Sequence, residues 1–313
     1  MRSLLAGLVA LGLGCNRPVE PPAAAAPVVG PRYFIVGKNG AETLAGKPAR
    51  LLPGFGVAIV EQWVSAGEWR GRSSQGREFA MRDLQAARPS RFAGVEVAER
   101  GLDFGWAIRE GAPVYARPDT TAKPVAQKSH YACVTLASLD GPQGFYRVAG
   151  GFMSEADLAV PHAAPRPPAV ADDEPWLDVD LRTQTLVAYV GDRPVFATLV
   201  ATGVGAEGTA FATPKGILRV RAKLRAATMD NLEHTGVLPY SYEEVPFTQY
   251  IGRVALHGAF WHDQFGIPRS HGCINLSLAD AERLFAFTQP ALDGGASEVA
   301  ATEKNPGSVV RVR

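Results

Sequence analysis

Two residues in the last fifth of the chain are of types that do nucleophilic chemistry together. Cys273 stands in Ser270-His271-Gly272-Cys273-Ile274-Asn275, and His257-Gly258 closes the apolar run Val254-Ala255-Leu256. A thiol attacks as its thiolate, so it needs a base, a donor-rich setting, and donors for the oxyanion formed on the attacked carbonyl. The interval 257–275 holds material for all three. A strand end can hold the imidazole, and the eleven residues 259–269, with Gly266 and Pro268, form a loop back towards the cysteine. Gly272 lets consecutive backbone N–H groups converge just before the thiol. His, Gly, Ser and Asn surround Cys273, which is not the apolar setting of a buried structural cysteine.

The elements that must position these residues are strands. Leu177-Asp178-Val179-Asp180-Leu181 alternates apolar and polar, Arg182-Thr183-Gln184 turns, and 185–190 returns as a second strand. Further strands are expected at 194–202, 216–222, 252–256 and 308–313. Only 278–288 has helical period, with Leu284, Phe285 and Phe287 apolar and Ser277 as its cap. That helix begins too late to cap the thiolate directly. The fold class is therefore mostly β.

Upstream lies a weak internal repeat. Gly56-Val57-Ala58-Ile59-Val60, Glu68-Trp69-Arg70, Phe79 and Asp83-Leu84 are echoed by Ala132-Cys133-Val134-Thr135-Leu136, Phe145-Tyr146-Arg147, Phe152 and Asp157-Leu158. Short strands with turn signals are the pattern of small β barrels, with Trp69, Tyr146 and Phe152 expected in the barrel cores. The second unit, led in by Val114-Tyr115-Ala116-Arg117-Pro118, resembles bacterial SH3-like domains. The expected division is a signal at 1–15, a Pro/Ala-rich tether at 16–31, an SH3-like region at 32–161 (repeats 32–100 and 101–161), a proline-rich linker at 162–175 and a catalytic domain at 176–313.

Composition bounds the partners. The 313 residues are 46% hydrophobic, enough for a sizeable core, and 32 basic against 31 acidic side chains give a formal charge of +1. No global field recruits nucleic acid. Arg2, the apolar run 4–13 and Cys15 read as an export signal; about 20 apolar residues would be needed to span a bilayer. The segment looks like a lipoprotein signal, which makes Cys15 a lipidation site and a membrane anchor, and puts the protein outside the cytoplasm. Cys133 and Cys273 are then too few for a disulfide framework. They could pair, but Cys133 lies in an apolar run that reads as a buried strand.

His257 followed by Ser270-His271-Gly272-Cys273-Ile274-Asn275 resembles the signature of the YkuD-type L,D-transpeptidases. Thr213-Pro214-Lys215-Gly216 is similar to a turn of that family and 176–189 to its opening hairpin, so the resemblance covers 176–313. It implies a β-rich domain acting on peptidoglycan stem peptides without a cofactor or metal. Carried over, Cys273 attacks the carbonyl between the residue at stem position three and D-Ala at position four. His257 is the base, and the Gly258 carbonyl orients it. Backbone amides around His271, Gly272 and Cys273 hold the oxyanion; an amine of a second stem completes a 3→3 cross-link, and water as acceptor would make a carboxypeptidase. His271 either catalyses or shapes the loop, with Ser270 and Asn275 fixing the turn. Tyr240, Trp261 and Arg269 are substrate-side candidates, each with an ordinary packing or solvated alternative, and Phe265 shares the loop with Trp261.

Three other readings compete. His257, His262, His271 and Cys273 are zinc-type ligands, but spacings of five, nine and two residues match no zinc pattern. A papain-like protease would place its cysteine before the histidine, at the start of a long helix. A non-catalytic wall-binding lipoprotein would leave the thiol idle.

Overall fold

The computed structural model describes residues 32–47, 49–97, 101–139, 141–233 and 239–313. The signal, the tether and Cys15 lie outside the described residues. Two compact units emerge: Leu102–Val160, and residues up to Gly101 grouped with Pro161–Arg313. The sequence reading groups 32–100 with 101–161 instead. The difference has a physical origin in the pairing and burial described below.

Leu102–Val160 builds a five-stranded antiparallel sheet. Its order is Gly151–Ser154, Phe145–Val148, Cys133–Ser138, Phe104–Ala107, Leu158–Ala159. Val114, Val134, Leu136, Tyr146, Val148, Met153 and Leu158 close its core. Cys133 is half-buried, and neither Cys133 nor Cys273 forms a disulfide.

Residues 32–97 repeat that order strand for strand: Glu78–Ala80, Glu68–Ser73, Gly56–Ser65, Arg32–Val36, Leu84–Ala86. The aromatic positions do not superimpose as the sequence suggests. Tyr146 pairs across to Met153, whereas the residue facing Phe79 is Gly71. Met81 and Ile59 fill the space there, since a Cβ on Gly71 would meet Met81 Sδ at 2.5 Å. Trp69, two residues earlier, is 59% exposed, while Tyr146 is 4% exposed and in the core as expected. Phe152 is half-buried under the Arg147 guanidinium, 5.0 Å from its ring centroid.

The C-terminal region carries two sheets. One runs Gly216–Arg219, Val309–Val312, Pro175–Asp180, Thr185–Val190, Arg193–Leu199, Val95–Glu96. The other contains ten strands among the described residues; its spine is Ile274–Leu276, Val254–Gly258, Ser241–Ile251, then Gly56–Ser65 of the first repeat. The helix Leu278–Phe287 starts at Ser277, whose Oγ accepts the Asp280 N–H at 3.2 Å. Leu256, Ile274, Leu276, Ala281 and Leu284 bury its inner face within the main core.

The seam between the first repeat and the C-terminal region is polar and aromatic. Glu243 is fully buried, and its carboxylate accepts from the Ala58 N–H (3.0 Å) and the Ser73 hydroxyl (3.2 Å) and pairs with Arg77. Tyr33 stacks on Phe260 at 4.1 Å and donates its hydroxyl to the Glu244 carbonyl at 3.0 Å. Gly56 sits where a Cβ would meet the Tyr242 and Phe260 rings at 2.7–2.8 Å.

Candidate active site

Cys273 and His257 are brought together by a parallel strand pair. Val254–Gly258 and Ile274–Leu276 run side by side with His257 in register with Asn275. Asn275 therefore stands beside His257, and Cys273 is the bend residue immediately before the Ile274–Leu276 strand. All three line a cavity of about 310 Å³, together with Met229, Tyr240, Tyr242, Trp261, Arg269, Ser270 and His271.

The turn carrying the thiol is held from several directions. Gly203 pairs with Ser270, whose N–H donates to the Thr202 carbonyl at 2.9 Å. The Thr213 hydroxyl, in the Thr-Pro-Lys-Gly turn, accepts the Gly203 N–H and donates to the Gly272 carbonyl, both at 2.8 Å. Ser270 Oγ accepts the Gly272 N–H at 3.1 Å and donates to the Cys273 carbonyl. The Gly272 amide is thereby engaged inside the turn, and the expected oxyanion donors narrow to the neighbouring amides. Gly272 has φ +120, a conformation L side chains rarely adopt, which accounts for glycine at this position.

His257 is 2% exposed, and its Nδ1 lies 3.3 Å from the Gly258 carbonyl. A carbonyl only accepts, so Nδ1 carries the proton and Nε2 keeps the lone pair of a base. Burial pushes the imidazole down to about 4, against the smaller opposing effect of the Gly258 carbonyl. Burial pushes the Cys273 thiol up, with a backbone contact to Ala255 pulling weakly the other way. Both shifts favour neutral forms, so the resting pair is thiol and imidazole rather than thiolate and imidazolium.

Aromatic rings wall the cavity. Tyr240 stacks on His271 at 4.9 Å and on Tyr242 at 6.1 Å; Trp261 stacks on Tyr242 at 3.9 Å and lies 5.6 Å from His257. His271 is exposed and also meets Phe211 edge-on. Tyr240 and Trp261 thus reach the cavity, while Phe265 is buried against His262. Arg269 is an exposed cation on the cavity lining. Asn275, expected to fix the turn through backbone bonds, instead meets His262 Nε2 at 2.9 Å. His262, in the 259–269 loop, and the lining residues Met229 and Tyr242 carry no spacing in the sequence that marks a site role. Among the described residues no group of three His, Cys, Asp or Glu is placed to hold a metal ion.

Comparison with known proteins follows the same boundaries. Residues 174–312, just under half of the chain, match the family profile described as the YkuD L,D-transpeptidase catalytic domain. No curated protein matches the chain. Among solved structures, an L,D-transpeptidase C442S mutant of Enterococcus faecium aligns with 22% identity over 49% of this chain and 55% of that one, at TM-score 0.35. The L,D-transpeptidase of Xylanimonas cellulosilytica aligns with 21% identity over 47% and 64%, at 0.30. L,D-transpeptidase 1 of Mycobacterium tuberculosis aligns with 18% identity over 45% and 62%, at 0.31. The chain thus spans less than two thirds of the length of each. The segment 174–312 that carries His257 and Cys273 is a YkuD L,D-transpeptidase catalytic domain.

Proposed function

We propose that the protein is a peptidoglycan L,D-transpeptidase of the cell envelope, with Cys273 as nucleophile and His257 as base. The observation that supports this best is that His257, with its Nε2 lone pair free by tautomer, and Cys273, at the entrance to the neighbouring parallel strand, line one cavity. Substrate binding brings the stem-peptide carbonyl to the thiol. His257 takes the thiol proton as sulfur attacks, and the tetrahedral oxyanion is held by the backbone amides of His271 and Cys273. The imidazolium returns the proton to the amine of the leaving D-Ala, which gives a thioester at Cys273. The amine of a second stem then attacks the thioester and forms a 3→3 cross-link.

A neutral resting pair makes the base rather than a stored thiolate the source of reactivity. The rate then falls as pH drops towards the folded His257 value of about 4, where the imidazole is already protonated before attack. Tyr240, Trp261 and Arg269 border the cavity, where they contact the acyl donor; Arg269 offers a cation for a stem carboxylate. The five-stranded repeats are read as SH3-like units, and Cys15 as lipidated after export. No helix among the described residues is long and apolar enough to cross a membrane.

Incubation with disaccharide-tetrapeptide, followed by mass spectrometry of products, tests the reading. Cys273-dependent loss of D-Ala with a dimer is expected. Loss with monomer alone would mean a carboxypeptidase, and no Cys273-dependent change would leave the wall-binding alternative. The match to the L,D-transpeptidase family profile makes a carbapenem adduct on Cys273 an expected outcome as well.

A further inference from the structure

His262 is buried, and each of its ring nitrogens faces a nitrogen. The Gln264 backbone N–H donates to Nδ1 at 3.2 Å, and the Asn275 carboxamide nitrogen lies 2.9 Å from Nε2. A neutral imidazole has one acceptor nitrogen and one N–H. Burial, reinforced by Arg269 and His257, pushes His262 down to about 4, so it is neutral at ordinary pH. A backbone N–H is fixed by the chain, whereas the oxygen and nitrogen of a carboxamide exchange places by a half-turn. Nδ1 is therefore the acceptor, Nε2 carries the proton, and Asn275 meets it with Oδ1. The oxygen at the opposite end of the carboxamide is buried and receives no hydrogen bond, and the exchange puts the NH2 there.

Asn275 is 3% exposed, lines the cavity with Cys273, and stands in register with His257. We propose that His262 is a positioning residue: it locks the Asn275 carboxamide so that its NH2 edge borders the Cys273 face, as a donor for negative charge developing there during attack. The inference rests on Cys273 as the nucleophile. Charge developing on the sulfur or the attacked carbonyl gives that NH2 a strong acceptor. The effect falls on the attack step rather than on substrate affinity. The other titratable or charged side chains around Cys273 are His257, His271, Tyr240, Tyr242, Tyr250 and Arg269.

Two measurements on the full chain test this. Long-range ¹⁵N correlation spectra should show His262 protonated at Nε2, the reverse of His257; protonation at Nδ1 of His262 overturns the proposal without any variant. The second is the pH dependence of iodoacetamide alkylation, followed at Cys273 by peptide mass. His262→Ala should move its midpoint up by roughly half to one pH unit, the equivalent of one lost hydrogen bond. His262→Gln, which keeps an N–H donor, should restore most of it. Asn275→Ala should shift it similarly, and the double variant no further. An unmoved midpoint in folded His262→Ala, or additive shifts in the double variant, contradicts the coupling. Alkylation needs no wall peptide, so an inactive but normally titrating protein would count against the transpeptidase reading and not against this one.

Discussion

The two five-stranded repeats share one strand order but differ in what completes them. In 102–160 the core closes on itself, with Tyr146 and Met153 facing each other inside. In 32–97 the equivalent position is Gly71, and the strand Gly56–Ser65 joins Ser241–Ile251 of the catalytic region. Its Ala58, Ser73 and Arg77 satisfy the buried Glu243, and its Tyr33 backs the aromatic wall through Phe260. A strand order therefore does not assign a role. The first repeat supports the wall of the catalytic cavity, and the second is a self-contained unit.

Removing the acid from two ion pairs, each with its arginine in a different repeat, should separate the two roles most strongly. Glu243→Ala leaves Arg77 without its buried partner and should cost about 3–5 kcal/mol in denaturant unfolding. Asp157→Ala loses a pair whose Arg109 side chain is 56% exposed and should cost less than about 1 kcal/mol. Equal losses would remove the distinction. The aromatic pair reverses the contrast: Tyr146→Ala empties a core and should cost about 3 kcal/mol, while Trp69→Ala should stay within about 0.5 kcal/mol.

A pH effect on stability is expected from Lys223 of the catalytic region. Lys223 is buried, its Nζ donates to the Phe285 and Thr288 carbonyls at the end of the helix, and burial pushes it from 10.5 down to about 8. Between those two values the unfolded chain binds more protons than the folded one, so stability should rise with pH from about 8 towards 10.5. Lys223→Met should flatten that rise in pH-dependent melting, and an unchanged slope would assign it to other groups.

The strands Thr185–Val190 and Pro175–Asp180 and the helix behind Ser277 are legible in the sequence because their patterns are local. The long strand Ser241–Ile251 is not. It contains Pro246, positive φ at Glu244 and Phe247, and the buried Glu243, whose partners lie at least 166 residues away. The joining of 32–97 to the catalytic region escapes the sequence for the same reason. In the site, Cys273 and His257 stand out by residue type and spacing, and the YkuD resemblance extends over 176–313. The contact between His262 and Asn275 does not stand out, because thirteen residues and a loop separate two side chains that only the fold brings together.

The proposed reaction turns on one covalent bond. Mixing the full chain with disaccharide-tetrapeptide, quenching in acid and mapping the intact-mass adduct by peptide analysis measures it directly. The expected result is a donor mass lacking D-Ala on Cys273, absent from Cys273→Ala and greatly reduced in His257→Ala. An adduct on another residue, or cross-linked product formed by Cys273→Ala, would contradict it.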